Sequence, residues 1–206
     1  MTNFLHQHDL PEGVSFGASV AVDCETMGLN HLRDRLCLIQ LSAGDGHAHL
    51  VQFPGPTARP YHAPRLTALL SDPNVTKLFH FGRFDIAAVK HYLGAECAPV
   101  YCTKIASKLT RTFTDRHGLK DLCRDLIGVD ISKQQQSSDW GAATLTKEQL
   151  DYAASDVLYL HALKAKLDEM LIREGRMELA QACFRFLPYR ASLDLAGWAE
   201  DDIFAH

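Results

Sequence analysis

The chain has 206 residues, 47% of them hydrophobic and 22% charged, with ordinary glycine and proline content. A chain of that size can bury roughly 70% of its unfolded surface in one core, so a single domain spanning 1–206 is predicted, and fibrous, repeat and disordered classes are excluded by composition. The formal charge of −4 argues against a protein that grips long duplexes through many phosphate contacts and favours a small or locally held substrate.

The six cysteines, at 24, 37, 97, 102, 123 and 183, form no CxxC pair and lie mostly in apolar runs, where a thiol behaves as a small core residue. A reducing cytoplasm suits them. The opening MTNFLHQHDLPEG has no basic start followed by an apolar stretch. No segment approaches the roughly 18 apolar residues of a membrane span. Cytoplasmic localisation without membrane contact is the expectation.

In chain order, ASVAVDC (18–24), RLCLIQLSA (35–43) and HAHLVQF (47–53) are short β-favouring runs separated by turn residues, Gly44-Asp45-Gly46 among them, and predict an antiparallel meander. Pro54, Pro56 and Pro60 mark a loop. Alternation follows: a helix near 64–71, a buried strand at 75–81, and a helix over RFDIAAVKHYLG ending at Gly94. Helices near 103–110 and 118–127 precede a polar loop, SKQQQSSDWG. Thr146 and Gln149 make a capping-box signature, after which Leu150, Ala153, Ala154, Val157, Leu160, Leu163 and Leu167 keep helical spacing to about 170. A further helix and an apolar tail with Trp198, Ile203 and Phe204 occupy 176–206. This is an α/β pattern.

Asp23 and Glu25 stand two apart at a strand end and so project from one face; a polar strand end facing water is the plain alternative. Asp85 opens a helix after a strand, where the helix dipole alone would favour a carboxylate, but where ligands also gather in α/β sheets. Tyr152 and Asp156 are four apart on one helix face, which as an isolated pair is compatible with simple surface decoration. Together, four carboxylates from three elements match what two hard divalent cations, Mg2+ or Mn2+, require. Such a pair cleaves phosphodiesters by activating water and stabilising the leaving oxygen. Tyr152, with an ordinary pKa of about 10, suits orientation of that water better than the role of sole base.

Other polar features have competing readings. His47 and His49 form an H-x-H pair with no completing ligand nearby in sequence, which fits a surface strand better than zinc. Lys108, Arg111, Arg116 and Lys120 form the densest basic stretch and can either steer an anion or solvate a helix pair.

The segments DCET (23–26), HFGRFD (80–85) and YAASD (152–156) resemble, in order and spacing, the three motifs of the DEDDy 3′→5′ exonucleases. YAASDVLYL at 152–160 and SSDW at 137–140 are similar to RNase D relatives, and the resemblance covers about 18–170. Within that family CTKIASKLTRT (102–112), SKQQQSSDW (132–140) and GWAEDDIFAH (197–206) resemble the nanoRNase C branch, which acts on very short RNAs. The resemblance implies a ribonuclease H-like fold with a mixed central sheet flanked by helices, and no C-terminal helical nucleic-acid-binding domain. It implies catalytic and metal roles for Asp23, Glu25, Asp85 and Asp156, with Tyr152 beside them.

It further implies that Leu29 wedges between two terminal bases, an ordinary core leucine being the alternative, and that Lys133, Gln136, Ser137, Ser138 and Trp140 lie near a 5′ phosphate. His80, ahead of the second motif, is read as contacting substrate or the Asp85 backbone, or as structural. For Ser138-Asp139 a loop satisfying its own backbone is the alternative. Diribonucleotides are the expected substrate and DNA ends a second one. A ring-like homo-octamer is the assembly implied, with the apolar tail packing either on a neighbour or on its own domain. The rival readings are a general exonuclease trimming longer RNA or DNA, and a non-catalytic RNA-binding module, which would be expected to lack one of the carboxylates.

Overall fold

A computed structural model describes residues 2–132, 134–135 and 137–206. Six strands, β1 (Thr2–Gln7), β2 (Ser19–Thr26), β3 (Leu36–Ser42), β4 (His47–Gln52), β5 (Thr76–Phe79) and β6 (Val100–Cys102), form one sheet in the order β1-β4-β3-β2-β5-β6. Seven helices accompany them: α1 (Pro64–Ser71), α2 (Arg83–Leu93), α3 (Thr103–Thr110), α4 (Leu119–Ile127), α5 (Lys147–Leu158), α6 (Leu160–Arg173) and α7 (Met177–Leu195). The β2-β3-β4 portion is the antiparallel meander that the sequence predicts, while β2-β5-β6 and β1-β4 pair in parallel. The result is a mixed sheet flanked by helices, as expected.

Every residue of β3, LCLIQLS, is buried, because it lies between β2 and β4 with both faces covered. Helix α5 packs against β2, β3 and β4; α2 packs on α7, and α3 and α4 pack on α6. Lys77 on β5 is fully buried, and its ammonium donates to the carbonyls of Asp72 at 2.8 Å and Ala98 at 2.7 Å, so its desolvation is offset by fixed hydrogen bonds. Five of the six cysteines are buried free thiols, and Cys183 is half-buried.

Three elements differ from the sequence reading. The polar N-terminal segment forms β1, an edge strand parallel to β4. Its side chains alternate without a strong apolar face, and the strand is held by the main-chain ladder and by Phe4 and His6 stacked on His49. The three-residue strand β6 is too short to leave a period. The helix read as continuous to about 170 divides at Tyr159, whose backbone (φ −105, ψ −4) caps α5 and opens α6, although Leu160, Leu163 and Leu167 stay in the core.

His49 is half-buried against Phe16 and shares a 2.9 Å hydrogen bond with His6, so the H-x-H pair belongs to the sheet rather than to a metal. The basic stretch also divides. Arg111 is buried, bonded to the Asp125 carboxylate at 2.6 Å and the Arg116 carbonyl at 2.8 Å, whereas Lys108 and Arg116 are exposed. The tail folds back on its own domain: Arg83 donates to the Ala199 carbonyl, Arg190 to that of Trp198, and Phe204 meets Phe186 edge-on.

The capping box at the start of α5 is formed in both directions. Thr146 Oγ1 accepts from the Gln149 amide at 3.2 Å, and Gln149 Oε1 accepts from the Thr146 amide at 2.9 Å. Thr146→Ala should cost about 1 kcal/mol of stability, or about 2–4 °C in Tm for a chain of this size. A thermal melt unchanged from wild type would contradict this account of the α5 start.

Candidate active site

Parallel pairing of β2 with β5 brings the carboxyl ends of both strands to one end of the sheet, and α5 crosses that end over β2 and β3. From β2 come Asp23 and Glu25, from the first turn of α2 comes Asp85, and from α5 come Tyr152 and Asp156. Carboxylate oxygens of Asp23, Glu25 and Asp156 all lie within 4.8 Å of one another, among the described residues the one cluster of acidic, histidine or cysteine side chains so placed. Asp85 is buried, with Oδ1 accepting from the Cys24 amide at 3.1 Å, which ties it to the backbone between the two β2 carboxylates. Positions far apart in sequence thus meet.

The electrostatics are those of like charges held together in a poorly hydrated place. Burial pushes Asp23 well above the usual carboxylate range, and Asp85, Asp156 and Glu25 push it further. Glu25 is raised in the same way by burial, then by Asp156 and Asp85. Asp85 is pushed up to about 7, chiefly by burial, with the hydrogen bonds from its own backbone amide and that of Cys24 pulling the other way. Tyr152 is raised by burial and then by Asp156, Glu25 and Asp23, so its phenol stays protonated at neutral pH and can donate. A site of four oxygen-bearing side chains that repel one another is suited to hard divalent cations, whose charge would reverse each of these shifts.

Two supports of the cluster have little or no mark in the sequence. Gln40, buried opposite Asp23 on β3, donates from Nε2 to Asp23 Oδ2 at 3.3 Å. A buried amide in an otherwise apolar strand was the available signal. The second is the Cys24 amide, a backbone group that leaves no mark in sequence. The register of β2 on β3 shifts between Glu25 and Thr26, where the chain leaves the sheet.

The expected substrate residues are placed unevenly. Leu29 is not a core leucine: it is 86% exposed on the β2–β3 loop. That loop closes tightly at Gly28, where a Cβ would stand 2.3 Å from Asp34 Oδ2, and docks on α2 through His31, whose Nε2 lies 2.9 Å from the Phe84 carbonyl. His80 is half-buried and hydrogen-bonded through Nδ1 to Thr103 Oγ1 at 2.9 Å. Ser137 is exposed, while Ser138 donates to Gln135 Oε1 at 2.6 Å and the Asp139 carboxylate accepts from the Gly141 amide at 3.0 Å, so this loop does satisfy much of its own polarity. Trp140 is only 3% exposed, its ring centroid 6.1 Å from that of Tyr152, a position that backs the tyrosine rather than opening to solvent. Lys133 and Gln136 lie outside the described residues.

A family model described as 3′-5′ exonuclease matches residues 5–172. Ribonuclease D of Acidiphilium cryptum is 36% identical over 159 residues, covering 77% of this chain and 39% of that protein, so the chain spans about two fifths of the length of such curated relatives. Among solved structures, Brucella melitensis NrnC is 58% identical with a TM-score of 0.95 over 100% of this chain and 98% of that one. The same protein has been solved with bound Mg2+ (56% identity, TM-score 0.94, 100% of both chains) and bound to pGG (56%, 0.95, 100% and 99%). The expected ribonuclease H-like architecture is therefore present, and the chain belongs to the RNase D-like 3′-5′ exonuclease family.

Proposed function

We propose that this chain is a metal-dependent 3′→5′ exoribonuclease that hydrolyses very short RNA, diribonucleotides foremost, to nucleoside 5′-monophosphates. The convergence of Asp23, Glu25 and Asp156 oxygens within 4.8 Å, with buried Asp85 joined to them through Cys24, carries the reading. The likeness to a protein solved with Mg2+ and with pGG supports it.

In this reading the four carboxylates hold two divalent ions, Mg2+ or Mn2+. When bound, such ions supply a water of lowered pKa and positive charge opposite the leaving 3′ oxygen. The chain's own residues do the positioning. Tyr152, protonated and backed by Trp140, donates a hydrogen bond that aligns the attacking water, while Gln40 keeps Asp23 turned toward the cluster. Leu29, exposed beside the Asp85 turn, inserts between the two terminal bases. Ser137 and Ser138, with Lys133 and Gln136 beside them in sequence, face the 5′ phosphate and favour a substrate that ends there. The protein works as a cytoplasmic homo-oligomer, up to an octamer. Among the described residues no helix is long and apolar enough to cross a membrane.

Asp85→Ala should abolish nucleotide release with circular dichroism unchanged, because a ligand is lost rather than core volume; an active variant would remove Asp85 from the site. Tyr152→Phe should slow turnover about a hundredfold with Mg2+ binding by calorimetry retained, and unchanged turnover would free the tyrosine of its role. Across a length series of 5′-labelled RNA and DNA, release should require metal and be fastest on RNA dinucleotides. Equal rates on long RNA or on DNA would instead favour general end-trimming.

The raised carboxylates also set a pH dependence. Their folded pKa values exceed the unfolded ones, so the metal-free protein binds more protons folded than unfolded, and stability is lost as pH rises through the folded values, near 7 for Asp85. The metal-free Tm should fall between pH 5 and 8, and the rise in Tm on adding Mg2+ should be larger at pH 8, since uptake expels those protons. A metal increment independent of pH would contradict the assignment.

A further inference from the structure

Phe81 and His8 are the two non-glycine positions with positive φ among the described residues; Phe81 has φ 65 and lies 51% exposed, within HFGRFD. An L residue holds that conformation only where its surroundings over-determine it, and such outliers cluster at ligand sites. Here the surroundings are specific. A Cβ on the following Gly82 would sit 2.5 Å from the Phe79 Cβ, so the chain is folded hard against the end of β5. Thr103 Oγ1, at the start of α3, donates to the Phe79 carbonyl at 3.2 Å. His80 is bonded to Thr103 in turn. The His80–Gly82 turn is therefore locked to the β6–α3 junction, and the lock directs a large apolar ring outward.

Two neighbours give the ring a use. The Lys104 ammonium stands 3.8 Å from its centroid, an arrangement that fixes the ring by cation–π attraction. Leu29, the most exposed of the large apolar side chains of the β2–β3 loop, which also exposes Met27 and Leu32, sits on a loop that docks through His31 onto Phe84, next to Asp85. Exposed apolar groups thus stand on both loops that meet the start of α2: Leu29 on the β2–β3 loop, Phe81 on the β5–α2 loop.

We propose that Phe81, steadied by Lys104, is a stacking platform for one nucleobase of the bound oligonucleotide, opposing Leu29 across that base, and so a specificity-determining residue. This rests on the exonuclease reading above. Any base offers a π-face, so the platform favours substrates that carry a base at that position without choosing among the four.

The test compares wild type with Phe81→Ala, Phe81→Leu and Phe81→Trp on RNA dinucleotides that carry either a base or an abasic sugar at each position. Phe81→Ala and Phe81→Leu should raise KM by about fivefold or more, with kcat little changed, on substrates bearing the stacked base. Both should match wild type on the abasic counterpart, and Phe81→Trp should retain wild-type KM. Binding of a 2-aminopurine dinucleotide in EDTA, where no turnover occurs, should quench fluorescence with wild type and Phe81→Trp but not with the other two. Equal losses on base-bearing and abasic substrates, or full quenching by Phe81→Leu, would overturn the platform. A wild type that quenches but releases no nucleotide with Mg2+ would sink the catalytic reading and leave the stacking intact; normal turnover with no Phe81 dependence would do the reverse.

Discussion

Carboxylates do not gather in a poorly hydrated place without a counter-charge, and that constraint organises this molecule. Asp23, Glu25, Asp85 and Asp156 each lie in the field of the others. Burial raises the cost of their ionisation, and the backbone nonetheless holds them together. The fold spends stability on this cluster, and divalent cations are the partners that would return it.

The rest of the architecture serves the convergence. Parallel pairing of β2 and β5 aligns two strand ends. The α2 start presents Asp85 to the Cys24 amide, and the capped α5 start sets the phase that turns Tyr152 and Asp156 the same way. Around this rim, residues with their own constraints face outward: Leu29 on a loop closed at Gly28, and Phe81 on a turn tied to Thr103 through His80. In the function proposed, the acidic centre would handle phosphate chemistry and the apolar rim bases. That division would let an acidic protein bind a short anionic ligand without a large basic surface.

Most of this was legible in sequence where a local pattern carries the information. The period-2 runs of β2 to β4, the Thr146–Gln149 box and the i, i+4 pairing of Tyr152 with Asp156 are all local. What failed to show depended on distant partners. The strand β1 exists because β4 offers an edge, β6 because β5 does, and neither segment has the pattern to declare itself. The Tyr159 break leaves the apolar spacing of α6 intact, so periodicity ran through it. Gln40 reads as one polar residue in a strand until Asp23 is placed opposite, and the packing of buried Trp140 beside Tyr152 has no local signature. The strain at Phe81 is a backbone property with no sequence signature, since the residue type argues against it.

The most direct measurement of the central claim is an anomalous-scattering map of crystals grown with Mn2+ and a non-hydrolysable dinucleotide. The account predicts two manganese peaks about 4 Å apart, ligated by Asp23, Glu25, Asp85 and Asp156 and bracketing the scissile phosphate. Peaks elsewhere on the molecule, or a dinucleotide seated away from these carboxylates, would contradict it.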